Sequence, residues 1–184
     1  MNSALKLLSL QARKLSYSIF SLFFFCGALQ RSYAQDTLYR FEDTQTLEAG
    51  YRDSSGDIII PLGKYAVCMT DTLIHYALVY DSQQPSWVAI NKQGKILYNV
   101  LSMDNGPDYA ELGLLRIEKG GKIGYADAIT GEIAITPKYD GAYPFDAQTG
   151  LATVCIGCTL RSENEVSWWT GGQWYTINSK GELQ

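Results

Sequence analysis

Histidine is all but missing from this chain: of 184 residues only His75 is one. Any Ser-His-Asp or Cys-His system would have to run on that residue, and no nucleophile-elbow motif accompanies it. Within the apolar stretch Thr72-Leu73-Ile74-His75-Tyr76, it reads as a partly buried structural histidine. Charge is sparse as well, at 18%. The apolar run at residues 19–29 has eleven residues, short of the roughly 20 that a membrane-spanning helix needs.

Acid is absent from residues 1–34, which carry Lys6, Arg13 and Lys14 ahead of that run and end in Ser32-Tyr33-Ala34. Basic start, short apolar centre and small-residue end describe a secretory signal peptide, residues 1–34, cleaved before Gln35. Cys26 invites a lipoprotein reading. The residue before a lipid-modified cysteine is normally small, however, and here it is Phe25, so an ordinary apolar cysteine inside the signal is the preferred reading. The expected location is exported, periplasmic or secreted. Losing Lys6, Arg13, Lys14 and Arg31 with the signal leaves 11 basic against 19 acidic residues. An acidic chain of this kind does not fit nucleic acid or anionic lipid, and the membrane enters only through signal-directed export.

What the chain has in quantity is tyrosine, thirteen, and glycine, seventeen. Aromatics suit pleated surfaces and glycines suit turns, so the composition points to an all-β protein. Four segments share one pattern, in which Asp53, Asn91, Asp127 and Asn178 are followed by Gly56, Gly94, Gly131 and Gly181. An Asx side chain that bonds its own backbone and a glycine with positive φ are the ingredients of a short hairpin loop. Asp57-Ile58, Lys95-Ile96, Glu132-Ile133 and Glu182-Leu183 then restart an alternating strand. Residues 76–80, 114–117 and 151–155 read as the strands before successive hairpins, and Pro61 and Pro137 end strands because proline has no donor for the ladder. Each repeat therefore supplies about three short antiparallel strands, and residues 44–48 read as a helical turn.

Gly121-Lys122-Ile123-Gly124-Tyr125-Ala126-Asp127 through Pro137-Lys138-Tyr139-Asp140, with Gly171-Gly172-Gln173-Trp174-Tyr175-Thr176-Ile177-Asn178, resembles the WG repeat family over about residues 48–184. No copy keeps an intact Trp-Gly pair: the paired positions are Ala49-Gly50, Trp87-Val88, Ile123-Gly124 and Trp174-Tyr175. The resemblance implies tandem β-hairpin repeats and brings no catalytic or binding residue with it. The expected organisation is a signal at 1–34, an N-terminal extension at 35–47 and a degenerate β-repeat domain of about four hairpin units at 48–184.

Three places could carry chemistry. Cys155-Ile156-Gly157-Cys158 offers a disulfide, a redox pair or half a zinc site, and zinc would need two ligands beyond it, with only Cys68 and His75 left in the mature chain. Asp104-Asn105-Gly106-Pro107-Asp108 with Glu111 lacks the spacing of a calcium loop and reads as a polar turn. Trp168, Trp169 and Trp174 lie within seven residues and are a possible ligand platform, although neighbours in a strand point to opposite faces, so one of Trp168 and Trp169 is expected to face the core. No cofactor is implied. The leading expectation is a non-enzymatic binding or scaffolding protein of the cell envelope, with a protein, peptide or glycan partner. The alternatives are a carbohydrate-active or other hydrolase using acids near Trp168 and Trp174, namely Glu163 and Glu165, and a redox protein using Cys155 and Cys158.

Overall fold

The computed structural model describes residues 37–103, 106–164 and 166–184. The signal-peptide and Cys26 readings fall outside them. All its regular structure is β, and it repeats a three-stranded antiparallel meander. The first unit is β1 (Leu38–Glu42), β2 (Ala49–Arg52) and β3 (Ile58–Ile60), followed by the short strands β4 (Val67–Cys68) and β5 (Thr72–Leu73). The second is β6 (Ala77–Asp81), β7 (Ser86–Ile90) and β8 (Ile96–Val100), with β9 (Ser102–Met103) and β10 (Gly106–Pro107) after it. The third is β11 (Leu114–Lys119), β12 (Lys122–Asp127) and β13 (Ile133–Tyr139), followed by β14 (Gly141–Ala142). The fourth is β15 (Leu151–Glu163) and β16 (Val166–Asn178), where a bridge between Ile177 and Leu183 stands for a third strand.

The same register closes every unit: Arg52 faces Ile58, Ile90 faces Ile96, Ala126 faces Ile133 and Ile177 faces Leu183. The four Asx loops set it. Oδ1 of Asp53, Asn91, Asp127 and Asn178 each accepts two backbone N–H groups at 2.7–3.1 Å. Gly56, Gly94, Gly131 and Gly181 each donate N–H back to the Asx carbonyl, at φ between 67° and 91°. Two further loops of this kind occur. Asp146-Ala147-Gln148-Thr149-Gly150 repeats the bonding of Asp127-Ala128-Ile129-Thr130-Gly131, a likeness already visible in the two sequences.

The other loop is Asp43-Thr44-Gln45-Thr46-Leu47, where a helical turn was expected. Asp43 Oδ1 instead caps Gln45 and Thr46, and the glycine position is held by Leu47 at φ 60°. Backbone N–H donors hold the carboxyls of Asp43, Asp127 and Asp146 below the usual carboxylate range. A leucine in the left-handed region crowds its own Cβ, and Leu47 is 70% exposed, so packing returns little. Leu47→Gly is therefore expected to stabilise the chain by about 1 kcal/mol in urea denaturation. A loss of stability would show that the leucine side chain matters more than its backbone.

Strands hand over from unit to unit. The strand order is β3-β2-β1-β5 in one sheet, β13-β12-β11-β8-β7-β6-β4 in the largest and β14-β15-β16 in the last. β4 leaves the first unit to pair with β6 of the second, and β14 leaves the third to pair with β15 of the fourth. β1, within the segment expected as an extension, pairs along β2, so the first meander begins at Leu38.

The cores also lie between neighbours, as in a quasi-one-dimensional array. Tyr51, Ile60 and Leu73 pack with Val79, Val88 and Ile90; Trp87 and Tyr98 pack with Leu115 and Ile117; Tyr125, Ile135 and Phe145 pack with Ala152, Val154 and Ile177. Tyrosines fasten one unit to the next unit's loop, with Tyr65 OH donating to Gly94 O at 2.9 Å and Tyr98 OH to Gly131 O at 2.7 Å. Burial holds the Tyr65 and Tyr98 phenols above their ordinary range, so they remain protonated donors.

Candidate functional site

The fourth unit departs from the frame. β15 and β16 pair from Leu151–Asn178 out to Glu163–Val166, well past the point where the strands of other units stop. The outer part of this arm is exposed on both strands. Its root contains three glycines in a conformation that L side chains avoid: Gly157, Gly171 and Gly172, at φ 78°, 72° and 71°.

In a regular strand, residues three apart point to opposite faces. The glycines break that alternation, and Cys155 and Cys158 meet in a disulfide. Gly172 leaves the room for it, since a Cβ there would stand 2.7 Å from Cys155 Sγ and 2.7 Å from Ile156 O. Both cysteines are buried. Asp140 fixes the kink by accepting from Gly157 N at 2.7 Å while paired with Lys122. The Lys122 ammonium, then the Gly157 amide, holds the Asp140 carboxyl below its usual range.

The three tryptophans separate. Trp169 is half-buried and packs over Gly141, where an added Cβ would lie 2.8 Å from its ring and 2.8 Å from Cys158 Sγ. Trp168 lies on the opposite face of the arm, paired across strands with Arg161, and is 42% exposed. Trp174 stacks on Tyr143 with ring centroids 5.9 Å apart and planes at 28°. Its Nε1 donates to Gly171 O at 3.0 Å. The indole is thus held in place with its polar atom satisfied, and it and Tyr143 remain 39% and 44% exposed. Trp87, at the equivalent position of the second unit, is buried edge-on against Tyr80 because β6 and β8 flank its strand. Sequence reasoning missed Tyr143, whose partner lies 31 positions away; only the shared face of β14 and β16 on β15 brings the two rings together.

The other candidates scatter. His75 is exposed, contrary to the partly buried placement expected from its apolar neighbours, because residues 74–76 turn away from the sheet after β5. It lines an open cleft of about 520 Å³ with Ile74, Asn91, Lys92, Thr130 and Glu132. Glu163 is exposed near the arm's tip, and Glu165 lies outside the described residues. So do Asp104 and Asn105, while Asp108 is buried and spent on Arg116, with Nε–Oδ2 at 2.6 Å and Nη2–Oδ1 at 2.8 Å. Among the described residues no three His, Cys, Asp or Glu side chains gather as a metal site. Cys68 is a free, buried thiol whose pKa is raised by that burial.

Residues 123–157 match the family model described as WG containing repeat, a span running from the middle strand of the third unit to the glycine kink of the fourth. No curated protein and no solved structure matches the chain. The match falls on the best-preserved copy, in which Ile123-Gly124 holds the Trp-Gly position. Residues 123–157 are thus similar to a WG repeat.

Proposed function

We propose that this chain is an exported, non-enzymatic module that binds or scaffolds at the cell envelope, and that it receives its ligand on the aromatic face built by Tyr143 and Trp174. The carrying observation is the stacked, exposed pair at the root of an arm that the repeat frame does not require. Because the indole N–H is already bonded to Gly171 O, what the pair presents is ring surface, suited to stacking on a pyranose or on an apolar residue of a peptide. Burial of both sulfurs of the disulfide argues against a thiol-exchange role.

Tryptophan fluorescence titration against glycan and peptide panels tests the reading. Trp174→Ala is expected to weaken the best ligand by about tenfold or more. It also removes the Tyr143 stack and the Gly171 bond, so binding is compared at a temperature where both chains are folded. A ligand that binds Trp174→Ala as well as the parent would remove this face from consideration.

A further inference from the structure

The loops that join β7 to β8 and β12 to β13 are each held at their carbonyls by the unit before them. Gly94 O accepts from Tyr65 OH at 2.9 Å and from Lys64 Nζ at 3.0 Å; Gly131 O accepts from Tyr98 OH at 2.7 Å, and Ala128 O from Tyr76 OH at 2.9 Å. With the Asx bonds inside each loop, both backbones are fixed before any ligand arrives. Together they line the cleft of about 520 Å³ that Thr37, before β1, and Ile74 and His75, after β5, complete.

The side chains that face this cleft are not spent on holding the loops. Lys92, Gln93, Glu132 and His75 enter no side-chain hydrogen bond or ion pair among the described residues. Lys92 is half-buried, so its ammonium is partly shielded from water without a partner in return. Glu132 lines the same cleft from the other loop, and the two charges do not pair with each other. A simple anion would meet Lys92 and leave Glu132 facing like charge, and a simple cation would do the reverse. A ligand with one charge of each sign at separate ends satisfies both.

We infer that this cleft is a second binding site and that it takes a short zwitterionic peptide, with the peptide carboxylate on Lys92 and its ammonium on Glu132. The Gln93 amide supplies a neutral donor and acceptor for the peptide backbone, and Ile74, 52% exposed, gives an apolar surface for a side chain. The volume falls within the range of about 300–1,000 Å³ typical of small-ligand sites, which accommodates a di- or tripeptide. The site is built from the first three units, so it does not depend on what the Tyr143 and Trp174 face receives.

Isothermal titration calorimetry of the purified chain with alanyl-leucyl-alanine, its N-acetyl form and its C-terminal amide tests each charge in turn. The free peptide should bind with a dissociation constant of about 0.1–1 mM. Each blocked form should bind about tenfold more weakly or worse, because hydrogen bonds to a charged group are the stronger ones. Lys92→Gln should take the free peptide and the amide alike, and Glu132→Gln the free peptide and the N-acetyl form alike. Lys95→Gln removes an exposed lysine of the same loop that does not line the cleft, and it should bind as the parent does. Trp174→Ala should also leave this binding unchanged. No heat from the free peptide at about 10 mM, equal binding of all three peptides, a Lys92→Gln chain that still discriminates against the amide, or equal weakening by Lys95→Gln would each overturn the assignment. Loss of free-peptide binding in Trp174→Ala would overturn it too, by moving the peptide to the aromatic face.

Discussion

Replacing Gly124 by valine is expected to unfold the third unit, and with it the cores on either side. A Cβ at this position would stand 2.6 Å from Pro137 N and 2.8 Å from Pro137 Cα, and closer still to Ile135 O. These are backbone atoms, so no rotamer change can relieve the contact. The crowding has a cause in the register: Tyr125 faces Ile135 and Ile123 faces Tyr139, so two residues of β12 are spanned by four of β13. Pro137 lies in that excess, without an N–H for the ladder, and the strand presses inward over the glycine.

The first unit repeats the arrangement, with Gly50 2.5 Å from Ile60 O at the position a Cβ would take and 3.0 Å from the Pro61 carbonyl carbon. The second has Val88 there, and its β8 runs without a proline and sets Asn99 opposite Val88. Glycine and the proline bulge occur together in this chain, which is a physical reason for the glycine of the Trp-Gly pair. Pushing β13 off β12 would expose Tyr125 and Ile135, both buried now, at a cost of about 4 kcal/mol or more. Set against a typical total of about 5–15 kcal/mol, that is enough to lose the fold. Gly113→Ala provides the comparison: its φ is 76° and nothing lies within 4 Å, so only backbone strain of about 1–2 kcal/mol is expected in urea denaturation. Equal losses for the two variants would show that φ, not close approach, governs these positions.

Much of this was legible because it is local chemistry. An Asx and a glycine three or four residues apart contain the whole hairpin loop, so the four loops, the strands after them and the three-strand unit could be read directly. The loop at Asp43 could not, because Leu47 occupies the left-handed position and its sequence then resembles a helical turn. His75 was misplaced for a related reason: its neighbours Leu73 and Tyr76 are apolar, yet the chain bends between them and nothing in the composition marks the bend. The candidate site was legible only in part. Three close tryptophans drew attention to the arm, but that Trp174 is held as an exposed stack depends on the kink at Gly157 and Gly172 and on Tyr143, a residue of the preceding connection. Trp87 and Trp174 occupy one repeat position and differ in burial because their neighbouring strands differ.

The Arg116 and Asp108 pair was hidden by distance of another kind, since its acid lies in a turn with no periodicity. Arg116→Ala is expected to cost about 3–5 kcal/mol, because Asp108 would be left as a buried, uncompensated charge. The arginine makes a third bond, from Nη1 to Ala142 O at 2.9 Å, so one side chain on β11 holds both the turn before it and β14. β14 is the strand that seats the last sheet, with Ala142 facing Val154 and Gly141 facing Cys155. Arg116→Lys keeps the charge but not the planar fork, and should recover only part of the loss. Replacing both partners by apolar residues, Asp108→Leu with Arg116→Met, should cost less than Arg116→Ala alone, since no charge is then left buried. Urea denaturation of these chains, together with the single variants Asp108→Leu and Arg116→Met, reads this directly. A double variant as unstable as the sum of its singles would mean that the pair contributes through packing alone. The single variant carries a second readout: if Ala142 O loses its donor, β14 loosens beneath Tyr143, and the exposed stack with Trp174 should lose order before the first core unfolds.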